Sequence, residues 1–123
     1  MDSKTRFPLA GALMTFIGTA HTALGIAVWL GGDQDVELTF WFTQFGVVSV
    51  GFGLAMMALE RTLGYVPGAV LLALGAVTVF GLVFMPVSGF VTVLLPLGVG
   101  AFGWWRARNH RVAAEIARLD GPE

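Results

Sequence analysis

Long apolar stretches separated by short polar connections dominate the pattern of this chain. Four predominantly apolar runs occupy Phe7–Leu30, Phe40–Leu59, Val66–Met85 and Gly89–Trp105. An α-helix needs about 20 apolar residues to cross the hydrocarbon core of a bilayer, and each run approaches or exceeds that length. The pattern therefore predicts an all-α fold in which a bundle of four transmembrane helices forms a single domain over residues 1–123.

The charged residues lie between and beyond these runs. The first connection, Gly31–Thr39, carries three acidic residues and no basic one, Arg61 lies in the second connection, and the third, Pro86–Ser88, is uncharged. The remaining basic residues flank the two ends of the chain, at Lys4, Arg6, Arg106, Arg108, Arg111 and Arg118. Because basic residues in short flanks stay on the cytoplasmic side, we expect a multi-pass protein of the cytoplasmic (inner) membrane with both termini in the cytoplasm.

Composition supports the membrane assignment and narrows the available chemistry. Hydrophobic residues make up 56% of the chain and charged residues 12%, against about 25% charged residues in ordinary soluble domains. The chain contains no cysteine, which excludes disulfides, thiolate metal sites and thiol redox chemistry. The basic segment 106–123 is expected to be a helical tail that either lies on anionic lipid headgroups or is solvated. It lacks the size and aromatic content expected for nucleic-acid binding.

Small residues predict where the helices pack, because helices in lipid associate through close contacts at such residues. The first run has a face with heptad-like spacing, formed by Gly11, Thr15, Gly18, Thr22 and Gly25. The second run has two small faces and is expected to touch two neighbours: one face is Gly46, Ser49 and Gly53, and the other is Gly51, Ala55 and Ala58. The third run aligns Ala69, Ala73 and Ala76. These faces leave enough small surface for a homo-oligomer or a larger membrane complex.

Two features of the fourth run concern its packing. Pro96 removes one backbone donor and is expected to kink the helix. The segment Gly98–Gly103 matches the dinucleotide fingerprint GxGxxG, but that motif requires a preceding strand within a βαβ unit. We therefore interpret these glycines as helix-packing residues.

No Asp, Glu, Lys or Arg lies deep inside any run, and this restricts the possible functions. Ionisable groups within the membrane usually mark ion pathways and proton relays, so a small transporter is disfavoured. No Ser, His and Asp are spaced for nucleophilic catalysis, and Glu37 and Glu60 are expected at opposite membrane faces. The sequence therefore predicts a protein that is not an enzyme and has no metal or cofactor.

His21 is the one ionisable residue within a run, in its outer half, and it is the main candidate for a function. One interpretation is a neutral structural histidine whose hydrogen-bond partner is Gln44 across the first hairpin, a threonine or a backbone carbonyl. The other is a site for a quinone or another lipophilic molecule at the outer end of the bundle. The polar residues of this predicted site are His21, Gln44, Trp41, Glu37 and Ser88, and the apolar body of the ligand is expected among Phe40, Phe42 and Phe45.

Three short motifs give the chain a family resemblance. They are Gly18-Thr19-Ala20-His21-Thr22 followed by Gly25, Phe40-Trp41-Phe42 followed by Gly46, and Met85-Pro86-Val87-Ser88-Gly89-Phe90. Over about Gly11–Arg106, their order and spacing resemble a family of small bacterial membrane proteins classed as a domain of unknown function, common in actinobacteria and loosely similar to the DoxX group. The resemblance implies a four-helix inner-membrane protein without an established activity, and DoxX-like relatives include quinone-linked oxidoreductase subunits. The expected role is that of a non-catalytic accessory subunit or a structural and interaction protein.

Overall fold

The computed structural model describes residues 6–32 and 35–121, which form four α-helices and no strand. The helices are α1 (Leu9–Leu30), α2 (Val36–Leu63), α3 (Gly68–Phe84) and α4 (Phe90–Leu119). Three of them, α1, α2 and α4, are long and apolar enough to cross a membrane, and α3 is a shorter apolar helix. The predicted fold class, an all-α bundle of four membrane helices, is confirmed.

Helix α2 begins earlier than the apolar run predicted. Asp35 is its N-cap, and the Asp35 carboxylate accepts hydrogen bonds from the backbone N–H groups of Glu37 (2.8 Å) and Leu38 (3.1 Å). A capping carboxylate satisfies amides that have no partner within the helix, so residues 36–39 form the first turn of α2 rather than loop. The predicted acidic residue Asp33 and the predicted basic residue Lys4 lie outside the described residues.

Helix α3 is shorter than the predicted run because a proline bounds it at each end. Pro67 is its N-cap, and Met85, which precedes Pro86, has left the helical conformation with φ −137° and ψ 73°. The residue before a proline is disfavoured in the α region. The 17 residues of α3 span about 25 Å, against about 30 Å for the hydrocarbon core. Helix α3 therefore lies at the lower limit of the length of a membrane-crossing helix, about 17–25 residues.

Helix α4 continues without a break from the fourth apolar run into the predicted tail. Its 30 residues include Pro96, which is buried, and extend to Leu119. A Cβ added at Gly100 would lie 2.7 Å from Leu71 Cδ2, whereas no atom lies within 4 Å of one added at Gly98 or Gly103. Within the chain, the predicted helix packing is therefore observed at Gly100 and not at the other two glycines.

The helices run alternately up and down, and α1 and α4 each pack against two neighbours. α1 packs against α2 and α4, and α3 packs against α4. The close contacts show antiparallel neighbours, since Gly11 meets the end of α2 and Gly25 meets its beginning. One end of the bundle, which we call the arginine end, holds the beginning of α1, the α2–α3 connection and the tail of α4. The other, the acidic end, holds the α1–α2 and α3–α4 connections.

The tightest interface joins α1 to α2 through the predicted small residues. A Cβ added at Gly18 would lie 2.6 Å from the backbone nitrogen of Val50 and 2.8 Å from the carbonyl oxygen of Gly46. The threonines of this face also donate to their own helix: Thr15 Oγ1 to Gly11 O and Thr22 Oγ1 to Gly18 O, each at 2.8 Å. The predicted face of α1 and the first predicted face of α2 are thus confirmed.

Two other predicted faces do not pack within the chain. Gly51 has no atom within 4 Å of an added Cβ, and Ala55 and Ala58 are exposed. The three alanines of α3 are exposed as well, because α3 packs through Leu71, Leu74, Thr78 and Gly81 instead. In this contact the small residue that permits close approach is Gly100, which lies on the opposite helix.

Candidate functional site

His21 lies in an aromatic cluster at the acidic end of the bundle. Its ring stacks on Phe42 of α2 with 3.8 Å between ring centroids and 25° between planes, and the edge of Phe45 lies 5.0 Å away. Phe45 in turn contacts Phe90 at the start of α4, with 4.6 Å between centroids. The cluster joins α1, α2 and α4 at the level of the predicted site, and two of its phenylalanines, Phe42 and Phe45, were predicted to surround a ligand.

Gly89 permits the close approach of the α3–α4 connection to His21. A Cβ added at Gly89 would lie 2.9 Å from His21 Cε1 and 3.1 Å from His21 Nδ1. The imidazole therefore lies directly against backbone in the turn before α4. A larger residue at position 89 would displace either this turn or the ring.

The predicted hydrogen bond between His21 and Gln44 is not formed. Gln44 is exposed on α2, and none of the side-chain hydrogen bonds among the described residues involves the His21 ring. The reason is helical phase: at about 100° per residue, Gln44 lies about 160° around α2 from Gly46, which faces α1. The spacing of Gly46, Ser49 and Gly53 indicates which face of α2 packs against α1. Phe42 and Phe45 lie on or beside that face, and Gln44 lies on the opposite one.

Among the described residues, none of the other predicted polar site residues forms a hydrogen bond or a ring contact with His21. Trp41 is 62% exposed and contacts Phe40, with 5.4 Å between ring centroids, and Glu37 is exposed in the first turn of α2. Ser88 acts locally, because its Oγ donates to Met85 O (2.6 Å) and accepts from Phe90 N (3.4 Å). The structure thus brings together the histidine and the phenylalanines and leaves the remaining polar residues at the surface or in the turn.

A small cavity adjoins the aromatic cluster between α2 and α3. Its volume is about 120 Å³. Phe45 and Phe90 belong to both the cluster and the cavity wall, and Met14 of α1 completes the wall on the third side. The buried hydroxyl residues Ser49 and Thr78 line it as well. Thr78 Oγ1 donates to Leu74 O at 2.7 Å, and apart from Ser49 the other lining residues are apolar, so the cavity suits a largely apolar occupant.

The arrangement offers an apolar surface beside one imidazole. A neutral imidazole provides one hydrogen-bond donor and one acceptor. Within the described residues, no group of three or more His, Asp or Glu side chains that could hold a metal ion occurs. A ligand in the cavity would be held mainly by aromatic and aliphatic contacts. His21 contacts Phe45 of the cavity wall but does not itself line the cavity.

The most specific polar contact in the bundle lies at the arginine end and was not predicted. The Glu60 carboxylate of α2 accepts hydrogen bonds from the backbone N–H groups of Ala10 (3.2 Å) and Gly11 (2.7 Å). Helix α1 follows Pro8 and has no side-chain cap of its own. The signal in the sequence was proline at the N-cap position in place of Ser, Thr, Asp or Asn, because these amides then need an acceptor from elsewhere.

Comparison with known proteins gives a family and no activity. A family model described as a family of unknown function (DUF6463) matches residues 5–107. No curated protein matches the chain. No solved structure matches it either.

Proposed function

The chain belongs to this family of unknown function, and we propose that it is a non-catalytic structural and interaction protein of the cytoplasmic membrane that associates laterally with a second copy of itself. The observation that supports this proposal is an uncovered face of α2. We call this surface the open face of α2 and define it by Gln44, Val48, Gly51, Ala55 and Ala58. All five residues are exposed, and their spacings of 4, 3, 4 and 3 residues equal those of the packed face of α1.

The small residues of the open face suit contact with another helix. In lipid, glycine and alanine allow two backbones to approach closely, and van der Waals packing then drives association. Gly51 has no atom within 4 Å of an added Cβ, in contrast to Gly18 on the buried face of α1. A second helix can therefore reach the backbone of α2 at Gly51 and Ala55 without displacing any part of the bundle.

Gln44 favours a second copy of the chain as the partner that packs on the open face of α2. The side-chain amide of Gln44 has two N–H donors and a carbonyl acceptor, and hydrocarbon can form a hydrogen bond with none of them. Two copies with the same orientation in a membrane are related by a twofold axis along the membrane normal, which places Gln44 opposite Gln44 of the second copy. Each amide can then donate to the other and accept from it.

Single cysteines test this dimer, since the chain has no native cysteine. We expect Ala55→Cys to form a disulfide-linked dimer under mild oxidation in native membranes. The control Phe16→Cys, on an exposed part of α1, should remain monomeric. Gln44→Leu in the Ala55→Cys background should weaken dimer formation by about 1 kcal/mol, the scale of an interhelical hydrogen bond in lipid. Equal crosslinking at positions 16 and 55, or crosslinking of position 55 to a different protein, would contradict self-association.

We also propose that the arginine end faces the cytoplasm. The proposal is supported by the six arginines at that end and by Asp35 and Glu37 at the other, because short basic flanks are retained in the cytoplasm. In intact spheroplasts, a membrane-impermeant maleimide should label Asp35→Cys, and it should label Arg118→Cys only after permeabilisation. The reverse labelling pattern would exclude this orientation.

A second candidate function is the binding of a lipophilic molecule beside His21. The observation that favours it is the cavity that shares Phe45 and Phe90 with the aromatic cluster. At about 120 Å³ the cavity is smaller than the roughly 300–1,000 Å³ of sites for drug-sized ligands. It would accept one ring or a short chain segment of a quinone or lipid, with the remainder of the molecule in the bilayer.

Mass spectrometry of material extracted from native membranes tests the second candidate. We expect His21→Ala to retain at least tenfold less of a co-purifying lipophilic compound than the parent protein. His110→Ala, on the exposed tail, is the matched control and should retain the parental amount. Equal retention by both variants, with both folded in detergent, would eliminate His21 as a ligand-binding residue.

A further inference from the structure

The outer surface of α3 and α4 forms an apolar groove that ends at two arginines. The groove has a volume of about 960 Å³. On α3 it is lined by large apolar residues, with the small residues Gly68, Gly75 and Ala76 between them, and Leu97, Ala101 and Trp104 of α4 form its other wall. The groove follows α3 from Gly68 to Val83, about 22 Å at the rise of an α-helix, which exceeds the depth of one leaflet of hydrocarbon, about 15 Å.

Trp104 marks the end of the groove at the arginine end. An added Cβ at Gly68 would lie 3.1 Å from Trp104 Nε1 and 3.1 Å from its Cε2, so the indole lies over the first turn of α3. Indole rings favour the headgroup level of a membrane, where one edge is apolar and the other is hydrated. The position of Trp104 therefore indicates where the hydrocarbon ends along the groove.

Arg108 and Arg111 follow Trp104 on the same side of α4, one and two turns further along. The guanidinium of Arg108 lies 5.6 Å from the centroid of the Trp104 ring, and that of Arg111 lies 4.7 Å from the centroid of the Tyr65 ring. Such cation–π contacts hold a guanidinium against an aromatic face. The charge of Arg108 is thus placed at Trp104, at the end of the groove, and the charge of Arg111 lies about one turn further along α4, against Tyr65.

The two guanidinium charges have no anionic partner among the described residues. No ion pair or hydrogen bond joins either group to a carboxylate there. Glu60, at the same end of the bundle, already accepts from the amides of Ala10 and Gly11. Two unpaired guanidiniums are complementary to a phosphate group, which arginine binds through its fork of N–H donors.

From these contacts we infer that the α3–α4 groove binds an anionic phospholipid, with its phosphate at Arg108 and Arg111 and an acyl chain along α3. The occupant has to combine a negative headgroup with a long apolar chain, since the charged and the apolar parts of the site are continuous. A phospholipid in the leaflet at the arginine end meets both requirements. The inference is independent of the open face of α2 and of the cavity beside His21, because neither surface contributes a residue to the groove.

Competition between lipid headgroups tests the charged part of the site. Native mass spectrometry of the full chain in detergent would compare phosphatidylglycerol with phosphatidylcholine of the same acyl chains. Each arginine near a membrane surface contributes about fivefold to the binding of an anionic lipid, so R108Q/R111Q should lose about 30-fold in affinity for phosphatidylglycerol and little for phosphatidylcholine. R118Q removes one charge from the same tail and is the control, with parental preference expected.

A glycine substitution tests the apolar part of the site without touching the charges. The nearest atom to an added Cβ at Gly75 is Leu97 Cδ2 at 3.9 Å, so Gly75→Leu extends into the groove rather than into packed atoms. We expect it to reduce binding of both lipids at least fivefold. Gly98→Leu, with no atom within 4 Å of its added Cβ, is the control and should bind both lipids as the parent does.

Four results would overturn the inference. The first is equal affinity of the parent protein for the two lipids, and the second is an unchanged preference in R108Q/R111Q. The third is parental lipid binding by Gly75→Leu. The fourth is displacement of the bound lipid by inorganic phosphate at the same concentration as the lipid. That result would show that the site binds the phosphate group and does not require the acyl chains. Circular dichroism of each variant would confirm that it remains folded.

Discussion

Gly18→Ala is expected to reduce the free energy of unfolding by about 1–3 kcal/mol. The added Cβ would lie 2.6 Å from the nitrogen of Val50, 2.8 Å from the oxygen of Gly46 and 2.9 Å from the carbonyl carbon of Ser49. All three atoms belong to the backbone of α2, so no side chain can rotate to make room. The two helices have to separate, and overpacking of this kind costs about 1–3 kcal/mol.

Unfolding in mixed micelles of a mild detergent and dodecyl sulfate, followed by circular dichroism, would measure this loss. Gly98→Ala is the matched control, because it makes the same substitution in a helix where no atom lies within 4 Å of the new Cβ. We expect the control to equal the parent or to exceed it by up to about 1 kcal/mol, the difference in helix propensity. If the two variants were equally stable, α1 and α2 would not make this contact.

The α1–α2 interface is also the part of the fold that the sequence predicted best. Glycine and threonine recur there with heptad-like spacing on one helix, and Gly46 and Gly53 provide a complementary surface on the other. Close backbone contact in lipid requires small residues on both helices, so the pattern identifies both sides of the interface. An interface that requires small residues on both helices can therefore be predicted from the sequence.

The packing of α3 could not be predicted in the same way. Its contact with α4 places large residues of one helix over single glycines of the other, Leu71 over Gly100 and Phe90 over Gly81. An isolated glycine has no periodicity, whereas the three aligned alanines of α3 formed a regular pattern and proved to be exposed. The lipid-facing groove inferred above is built on this exposed side of α3, at Gly75 and Ala76.

The candidate site was predicted in part, because the sequence identified its central residue and two aromatic neighbours but assigned the wrong polar group. His21, Phe42 and Phe45 are in contact. Gln44 was assigned to the site by its distance along the chain, without regard to helical phase. Two residues that are two positions apart on a helix, such as Gln44 and Gly46, lie about 160° apart around its axis. Residues that are near in sequence therefore need not share a face of a helix.

Glu60→Ala is expected to destabilise the bundle by about 2 kcal/mol, through a contact that the sequence pattern did not reveal. The Glu60 carboxylate accepts two hydrogen bonds from the first turn of α1, and a hydrogen bond to a charged group contributes about 1.5–3 kcal/mol. Glu60 also lies near the C-terminus of α2, where the dipole of its own helix disfavours a negative charge. Its position is therefore explained by the N-terminus of α1, whose dipole favours the charge.

A graded series separates this capping role from a general effect of charge. Glu60→Gln keeps one carbonyl acceptor and should be intermediate between Glu60→Ala and the parent. Glu115→Ala, which removes a carboxylate from the exposed tail, should differ from the parent by less than about 0.5 kcal/mol. Amide hydrogen exchange provides a local measurement, since a loss of about 2 kcal/mol corresponds to roughly 30-fold faster exchange at Ala10 and Gly11. Unchanged exchange at these two amides in Glu60→Ala would show that Glu60 does not cap α1, whatever the global stability of the variant.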